Sequence, residues 1–235
     1  SPRVTFGNEW VNESILEIFQ EDTARYRVML SSEVTEDVEK MLEEGQPPEL
    51  RALQVHNGTV YRWNRPCYGI TDGKAHLRIE NRVCPSGPTV TDEVANSAFW
   101  LGLMNKMGDY YPNVSEEMDF DDARMNFVAA SKMGLDTKFR WFDDKRHNAV
   151  DLITEELLPI AKEGLQDANI NDSDIDEYLG LIKQRVNVGQ TPSHWMINNY
   201  SSLMKENDSK EQTLAAITTA MVKNQKKGEP VHKWG

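Results

Sequence analysis

The run Cys84-Pro85-Ser86-Gly87-Pro88 limits the fold more than any other stretch, because two prolines and a glycine in five positions sustain neither a helix nor a strand ladder. Before this loop the chain contains segments with strand character. After it, the apolar residues recur at helical spacings only. The expectation is an α+β chain: a small antiparallel sheet with helical flanks, followed by a helical C-terminal half.

Residues Asn8 to about Glu44 read as helix. Ile15, Ile18, Phe19, Tyr26, Met29 and Leu30 share helical spacings, and Val34, Val38, Met41 and Leu42 form a second stretch. Gly45 and Pro47-Pro48 end it. Three strands are then expected at Leu50–His56, Thr59–Asn64 and His76–Val83. Asn57-Gly58 predicts a type I′ hairpin between the first two, Pro66 closes the second, and Thr71-Asp72-Gly73 turns the chain into the third.

Beyond the loop, Thr89 is the expected N-cap of a helix with Asp92 and Glu93 in its first turn. That helix carries Val94, Ala95, Ala98, Phe99, Trp100, Leu101, Leu103 and Met104. It is apolar on nearly every side, so burial is expected. Further helices are placed at 119–133, 146–168, 173–187, 191–206 and 209–227, with Ser173, Thr191 and Ser209 as start signals. Residues 228–235 read as a linker. The expected division is 1–168, the sheet with its helical flanks, and 169–235, a helical extension leading to that linker.

The 26 basic and 38 acidic side chains leave a net charge of −12. That sign repels phosphate backbones and argues against a general nucleic-acid partner. No stretch approaches the roughly 20 apolar residues of a membrane span. Two cysteines, Cys67 and Cys84, lie in no metal-binding spacing and suit a reduced, cytoplasmic setting. The start at Ser1 and the stop at Gly235 are expected to be cut ends of a longer protein.

The chemistry concentrates in His76-Leu77-Arg78-Ile79-Glu80-Asn81-Arg82-Val83. Side chains alternate along a strand, so His76, Arg78, Glu80 and Arg82 share a face, about 6.6 Å apart at every second residue. Arg62 and Arg65 add two more guanidinium groups on the neighbouring segment Tyr61–Pro66. Guanidinium groups bind phosphate or carboxylate oxygens bidentately and stay charged, and a carboxylate among them suits a Mg²⁺–phosphate site. Two readings are open: a ladder of cross-strand ion pairs of small net value, or a polyphosphate or polycarboxylate site.

The segments Thr59–Arg65 (TVYRWNR) and Arg78–Arg82 (RIENR), with a Pro-Thr loop opening an Ala-rich helix, resemble the C-terminal catalytic half of the glutamine synthetase superfamily. Within it, the chain looks most like type 2 glutamate–cysteine ligases and related carboxylate–amine ligases. The stretch Arg124–Asp136, ending Ala-Ala-Ser-Lys-Met-Gly-Leu-Asp, and the helix from Ala149 to Leu165 agree with it, so the resemblance covers roughly Arg51 to Leu165. It implies a curved antiparallel sheet forming a funnel, entered by ATP at one end and by amino acids at the other. Glu80 would bind Mg²⁺ or Mn²⁺, and Arg78 the ATP phosphates. Arg62 and Arg65 would grip the phosphates and an acyl-phosphate intermediate, and Arg82 a substrate carboxylate or the transferring phosphate.

Glutamate with an amine such as cysteine is the implied substrate pair, as in glutathione biosynthesis. The family's other metal-binding carboxylates lie in an N-terminal half that residues 1–50 do not resemble. The expectation is therefore a fragment that supplies one wall of the site and is inactive alone. Its complement would be the N-terminal half of the same protein or another chain. Homo-oligomers and downstream CBS domains occur among such relatives. A non-catalytic nucleotide- or anion-binding module is the competing expectation.

Overall fold

The computed structural model describes residues 3–31, 36–205 and 209–235. The chain is α+β, about 60% helical, with sheets of two strands each. It divides into two compact units, Ser1–Pro85 and Ser86–Gly235. Residue 168 therefore falls inside the second unit.

The first unit begins with β1 (Val4–Thr5), followed by helices α1 (Leu16–Arg25), α2 (Val38–Glu43) and α3 (Arg51–Gly58). Where one long helix is expected from Asn8 to Glu44, two short ones form, and Tyr26 to Ser31 is not helical. Val34 lies outside the described residues. α1 buries Phe19 and Asp22, and Tyr26 beyond its end is buried too.

Leu50–His56, expected as a strand, is helix α3 instead. Arg51, Ala52, Leu53 and Gln54 are all strong helix formers. Tertiary contacts fix its end: His56 Nε2 lies 2.9 Å from the Tyr26 carbonyl oxygen, and Asn57 Nδ2 donates to the Pro66 carbonyl at 2.7 Å. Asn57-Gly58 thus terminates a helix rather than turning a hairpin.

β2 (Tyr61–Arg62) pairs in parallel with β1, and β3 (Asn64–Thr71) pairs antiparallel with β4 (Lys74–Asn81). Pro66, expected to close a strand, sits inside β3 opposite Ile79. A two-stranded ribbon has an outer edge on each strand, where a residue without an N–H costs no ladder bond. The expected turn at Thr71-Asp72-Gly73 forms, with φ of +51° at Asp72 and +71° at Gly73. Both positive values match a type I′ connection.

The second unit opens with α4 (Val90–Tyr110), capped as expected by Thr89, whose hydroxyl accepts from Asp92 N at 3.2 Å. α5 (Val114–Glu117) and α6 (Phe120–Met133) follow, then the short hairpin β5 (Lys138–Arg140) and β6 (Arg146–Asn148), whose second strand takes the first three residues of the helix expected at 146–168. From Ala149 the chain stays helical to Asp167: α7 (Ala149–Asp151), a π-helical turn at Leu152–Leu157, and α8 (Leu158–Asp167). α9 (Asp172–Val188), α10 (Pro192–Leu203) and α11 (Lys210–Lys227) complete the unit. Thr191 and Ser209 cap α10 and α11. The N-cap of α9 is Asn171, not Ser173.

The core is built by α4, α8 and α9 through Ala95, Leu158, Ala161, Leu165, Ile175, Leu179, Ile182 and Val186. α4 is not buried all round. Leu101 and Met104 stay 60% and 62% exposed, because α8 and α9 cover one side of it. The segment read as a linker is instead packed: Val231 and Trp234 join Trp195 and Ile217 in a second apolar cluster. Asp92 anchors it, accepting from Val231 N at 3.1 Å and from Arg185 Nη2 at 2.7 Å.

Candidate functional site

The register of the β3–β4 hairpin builds the candidate face. Arg65 lies opposite Glu80, Cys67 opposite Arg78, and Gly69 opposite His76. Alternation places these six positions on one face. Arg82 follows β4 directly, and its backbone N–H donates to the Trp63 carbonyl at 2.8 Å, which carries the ladder one residue further.

Glu80 is the carboxylate of this face and is already engaged. It accepts from Arg65 Nε at 2.8 Å, pairs with Arg65 Nη2 at 2.6 Å, and takes the Cys67 S–H at 3.7 Å. Burial alone pushes the Glu80 carboxyl up. The Arg65 hydrogen bond, the charges of Arg65 and Arg82, and the Cys67 thiol outweigh it and hold Glu80 below the ordinary glutamate value. The Arg82 guanidinium lies 5.3 Å from the centroid of the Tyr61 ring, a cation–π distance, and its Nη1 is buried without a hydrogen-bond partner among the described residues.

Arg78 differs from the others. It is exposed, and among the described residues no carboxylate pairs with it. Its guanidinium lies across strand β3, where Gly69 leaves room: a Cβ at that position would stand 2.9 Å from Arg78 Nη1 and 2.9 Å from His76 Cε1. His76 is steadied by a 3.0 Å hydrogen bond between its Nε2 and Thr71 Oγ1.

Arg62 is placed elsewhere than the phosphate-facing position implied by the resemblance. It belongs to β2, its side chain is 5% exposed, and its Nε donates to Asp22 Oδ1 at 2.8 Å, with a further ion pair to Glu21. Three of the four arginines singled out by sequence thus belong to the hairpin, and the fourth is buried beneath α1.

Beside the hairpin runs a cleft between α3 and β3. Its inner chamber, about 210 Å³, is lined by Gln54, Asn57, Arg65, Cys67, Tyr68 and Arg78 among others. A wider outer chamber shares Gln54, Tyr68 and Arg78 and adds Glu49, Thr71 and His76. Gln54, Asn57 and Gly69 are site residues that the reading of the strands missed. Only Gly69 carried a signal, since an isolated glycine within a strand marks a close approach.

Among the described residues no group of three or more His, Cys, Asp or Glu side chains could hold a metal ion. Glu80 can supply one ligand at most, and it is paired with Arg65 and faces the charge of Arg82, so the donors of this chain alone do not fit a Mg²⁺ or Mn²⁺ centre. What the face can do is bind and neutralise an oxyanion. Among the described residues no helix is long and apolar enough to cross a membrane. No protein-family model, characterised protein or solved structure matches the chain.

Proposed function

We propose that the chain carries one wall of the active site of an ATP-dependent carboxylate–amine ligase of the glutamate–cysteine ligase type. The observation that carries this reading is the presence of Arg65, Arg78 and Arg82 with Glu80 on one face of one hairpin and its continuation, in a protein of net charge −12. In the proposed reaction a γ-carboxylate oxygen attacks the γ-phosphorus of ATP and ADP leaves. An amine nitrogen then attacks the acyl carbon, phosphate leaves, and the amine proton is lost. Guanidinium groups fixed on a rigid ribbon suit both steps, because charge accumulates on phosphoryl oxygens and a prepositioned cation needs no reorganisation.

In this reading Arg78 meets the ATP phosphates, Arg65 holds the acyl phosphate, and Arg82 holds a substrate carboxylate or the transferring phosphate. Arg62 acts behind them, fixing β2. Glutamate and an amine such as cysteine are the substrates. A glutamine synthetase-like funnel would need further strands, and the metal further carboxylates, from outside this chain. Glu80 alone does not make a site for a metal ion. Homo-oligomers and appended CBS domains belong to the same proposal.

The test is phosphate release from ATP by the natural gene product. Release should require glutamate, an amine and Mg²⁺ together, and should fall at least a hundredfold in Arg78→Ala and Glu80→Ala. Ordinary rates in both variants would remove the ligase reading.

A second reading is favoured by the closed Arg65–Glu80 pair, which leaves Arg78 as a cation without a carboxylate partner among the described residues. In it the hairpin is a non-catalytic anion- or nucleotide-binding module. Calorimetry that detects nucleotide binding with no product formed would select this alternative.

A further inference from the structure

We infer that the cleft between α3 and the β3–β4 hairpin is a receptor for a compact oxyanion, a phosphate or a small carboxylate, and that Gly69 is the positioning residue that aims Arg78 into it. The inference concerns the place and size of the ligand and stands whether or not the chain belongs to a ligase.

The charges point to an anion. The inner chamber is lined by two guanidinium groups, Arg65 and Arg78, and by no carboxylate. Arg65 is paired through its Nε and Nη2 with Glu80, while Arg78 has no carboxylate partner among the described residues. An arginine cannot shed its proton, so the field in the chamber is met by water or by an anion from solution. Gln54 from α3 also lines the chamber; its Nε2 donates one hydrogen to the Glu49 carbonyl and has a second for the oxygens of that anion. The planar guanidinium fork accepts two oxygens of one phosphate or carboxylate at once.

The size points to a compact ligand. About 210 Å³ lies below the roughly 300–1,000 Å³ of sites that enclose drug-sized molecules.

Gly69 explains why the guanidinium reaches the cleft at all. A methyl group at residue 69 would stand 2.9 Å from Arg78 Nη1 and 3.1 Å from His76 Nε2. Both are ends of flexible side chains, so Gly69→Ala is accommodated by moving them rather than by unfolding the ribbon. The variant therefore separates aim from fold.

The experiment is NMR titration of the full chain at low ionic strength with inorganic phosphate, succinate and AMP, reading the arginine Nε–H signals, with unfolding midpoints measured in parallel. Phosphate or succinate should move the Arg78 signal saturably, and whichever binds more tightly identifies the source of the oxyanion. Arg78→Gln should weaken binding at least tenfold. Gly69→Ala should weaken it severalfold with an unchanged unfolding midpoint. The inference is overturned if the Arg78 signal does not respond, if Gly69→Ala binds like the parent, or if AMP binds tenfold more tightly than phosphate. Loss of ATP turnover in Arg78→Ala alongside an unresponsive cleft would sink this inference and leave the ligase reading standing.

Discussion

Arg62 donates its Nε–H to Asp22 Oδ1 at 2.8 Å, across 40 positions of sequence, and both side chains are almost wholly buried. Burial pushes the Asp22 carboxyl up, against the pull of the Arg62 charge. The pair joins α1 to the short β2, whose parallel partner β1 is also only two residues long. Removing one member of such a pair strands the other charge in the interior. Arg62→Ala should therefore cost roughly 3–5 kcal/mol of stability. The double variant Arg62→Leu/Asp22→Leu should recover most of that, since neither buried charge is left behind and Glu21 keeps its ion pair with Arg25. Urea unfolding checks both; a single-variant loss below about 1 kcal/mol contradicts the assignment.

Two glycines of the second unit make a different prediction. Gly102 on α4 and Gly164 on α8 face each other where the helices cross. A Cβ on Gly164 would overlap the Gly102 carbonyl oxygen, and a Cβ on Gly102 the Ala161 carbonyl oxygen. Asn105 Nδ2 donates to the Gly164 carbonyl at 2.8 Å, so the backbones are also tied together there. Atoms of the facing helix backbone cannot yield as a side-chain end does. Gly164→Ala should destabilise the protein by about 1–3 kcal/mol or more, although alanine is the better helix former. A thermal unfolding midpoint at or above that of the parent would show that the helices are further apart.

These two sites mark what the sequence discloses and what it hides. Thr89, Thr191 and Ser209 were legible as caps because capping depends on residues three positions away. The β3–β4 turn was legible because Asp72-Gly73 tolerates positive φ. Leu50–His56 was misread because a short apolar run with Asn-Gly after it fits a strand and a helix end equally well. The deciding contacts, from His56 to Tyr26 and from Asn57 to Pro66, are not local. The same holds for the site. Alternation put Arg78, Glu80 and Arg82 on one face, and the register added Arg65. The diversion of Arg62 to Asp22 depends on how α1 packs, and no spacing within residues 59–65 reports it.

The cross-strand pair of Arg65 and Glu80 carries a pH signature. Glu80 is held below the ordinary glutamate value, so its pairing is fully present above the unfolded value of about 4.3 and is lost as pH falls through the lower folded one. Because Glu80 is partly exposed, the contribution is small, on the order of 0.5 kcal/mol. Glu80→Gln should lie below the parent in stability at pH 7, and the gap should close on acidification below pH 4. A gap that widens on acidification would mean that the carboxylate is not the partner of Arg65 in solution.

The packed segment at 229–235 also loses stability on acidification, but in a higher pH range. His232 is held below its ordinary value, first by burial and then by the charges of Lys233 and Arg185, with Asp92 opposing them. Its Nε2 lies 3.1 Å from Gln184 Oε1, and its Nδ1 is buried without a hydrogen-bond partner among the described residues. In the unfolded chain this histidine takes a proton near pH 6.5, whereas the folded chain resists it to a lower pH. Stability from this group is therefore present above about pH 6.5 and declines as pH falls through the folded value. Protonation would place a third cation beside Arg185 and Lys233, against the seat that holds Val231 to Asp92. His232→Gln keeps a hydrogen-bonding side chain and removes the titration. The parent should lose more of its unfolding midpoint than His232→Gln between pH 7.5 and 5.5, a range above that in which the carboxylates take up protons. Equal losses in the two proteins would place His232 in solvent and detach the 229–235 segment from the helical core.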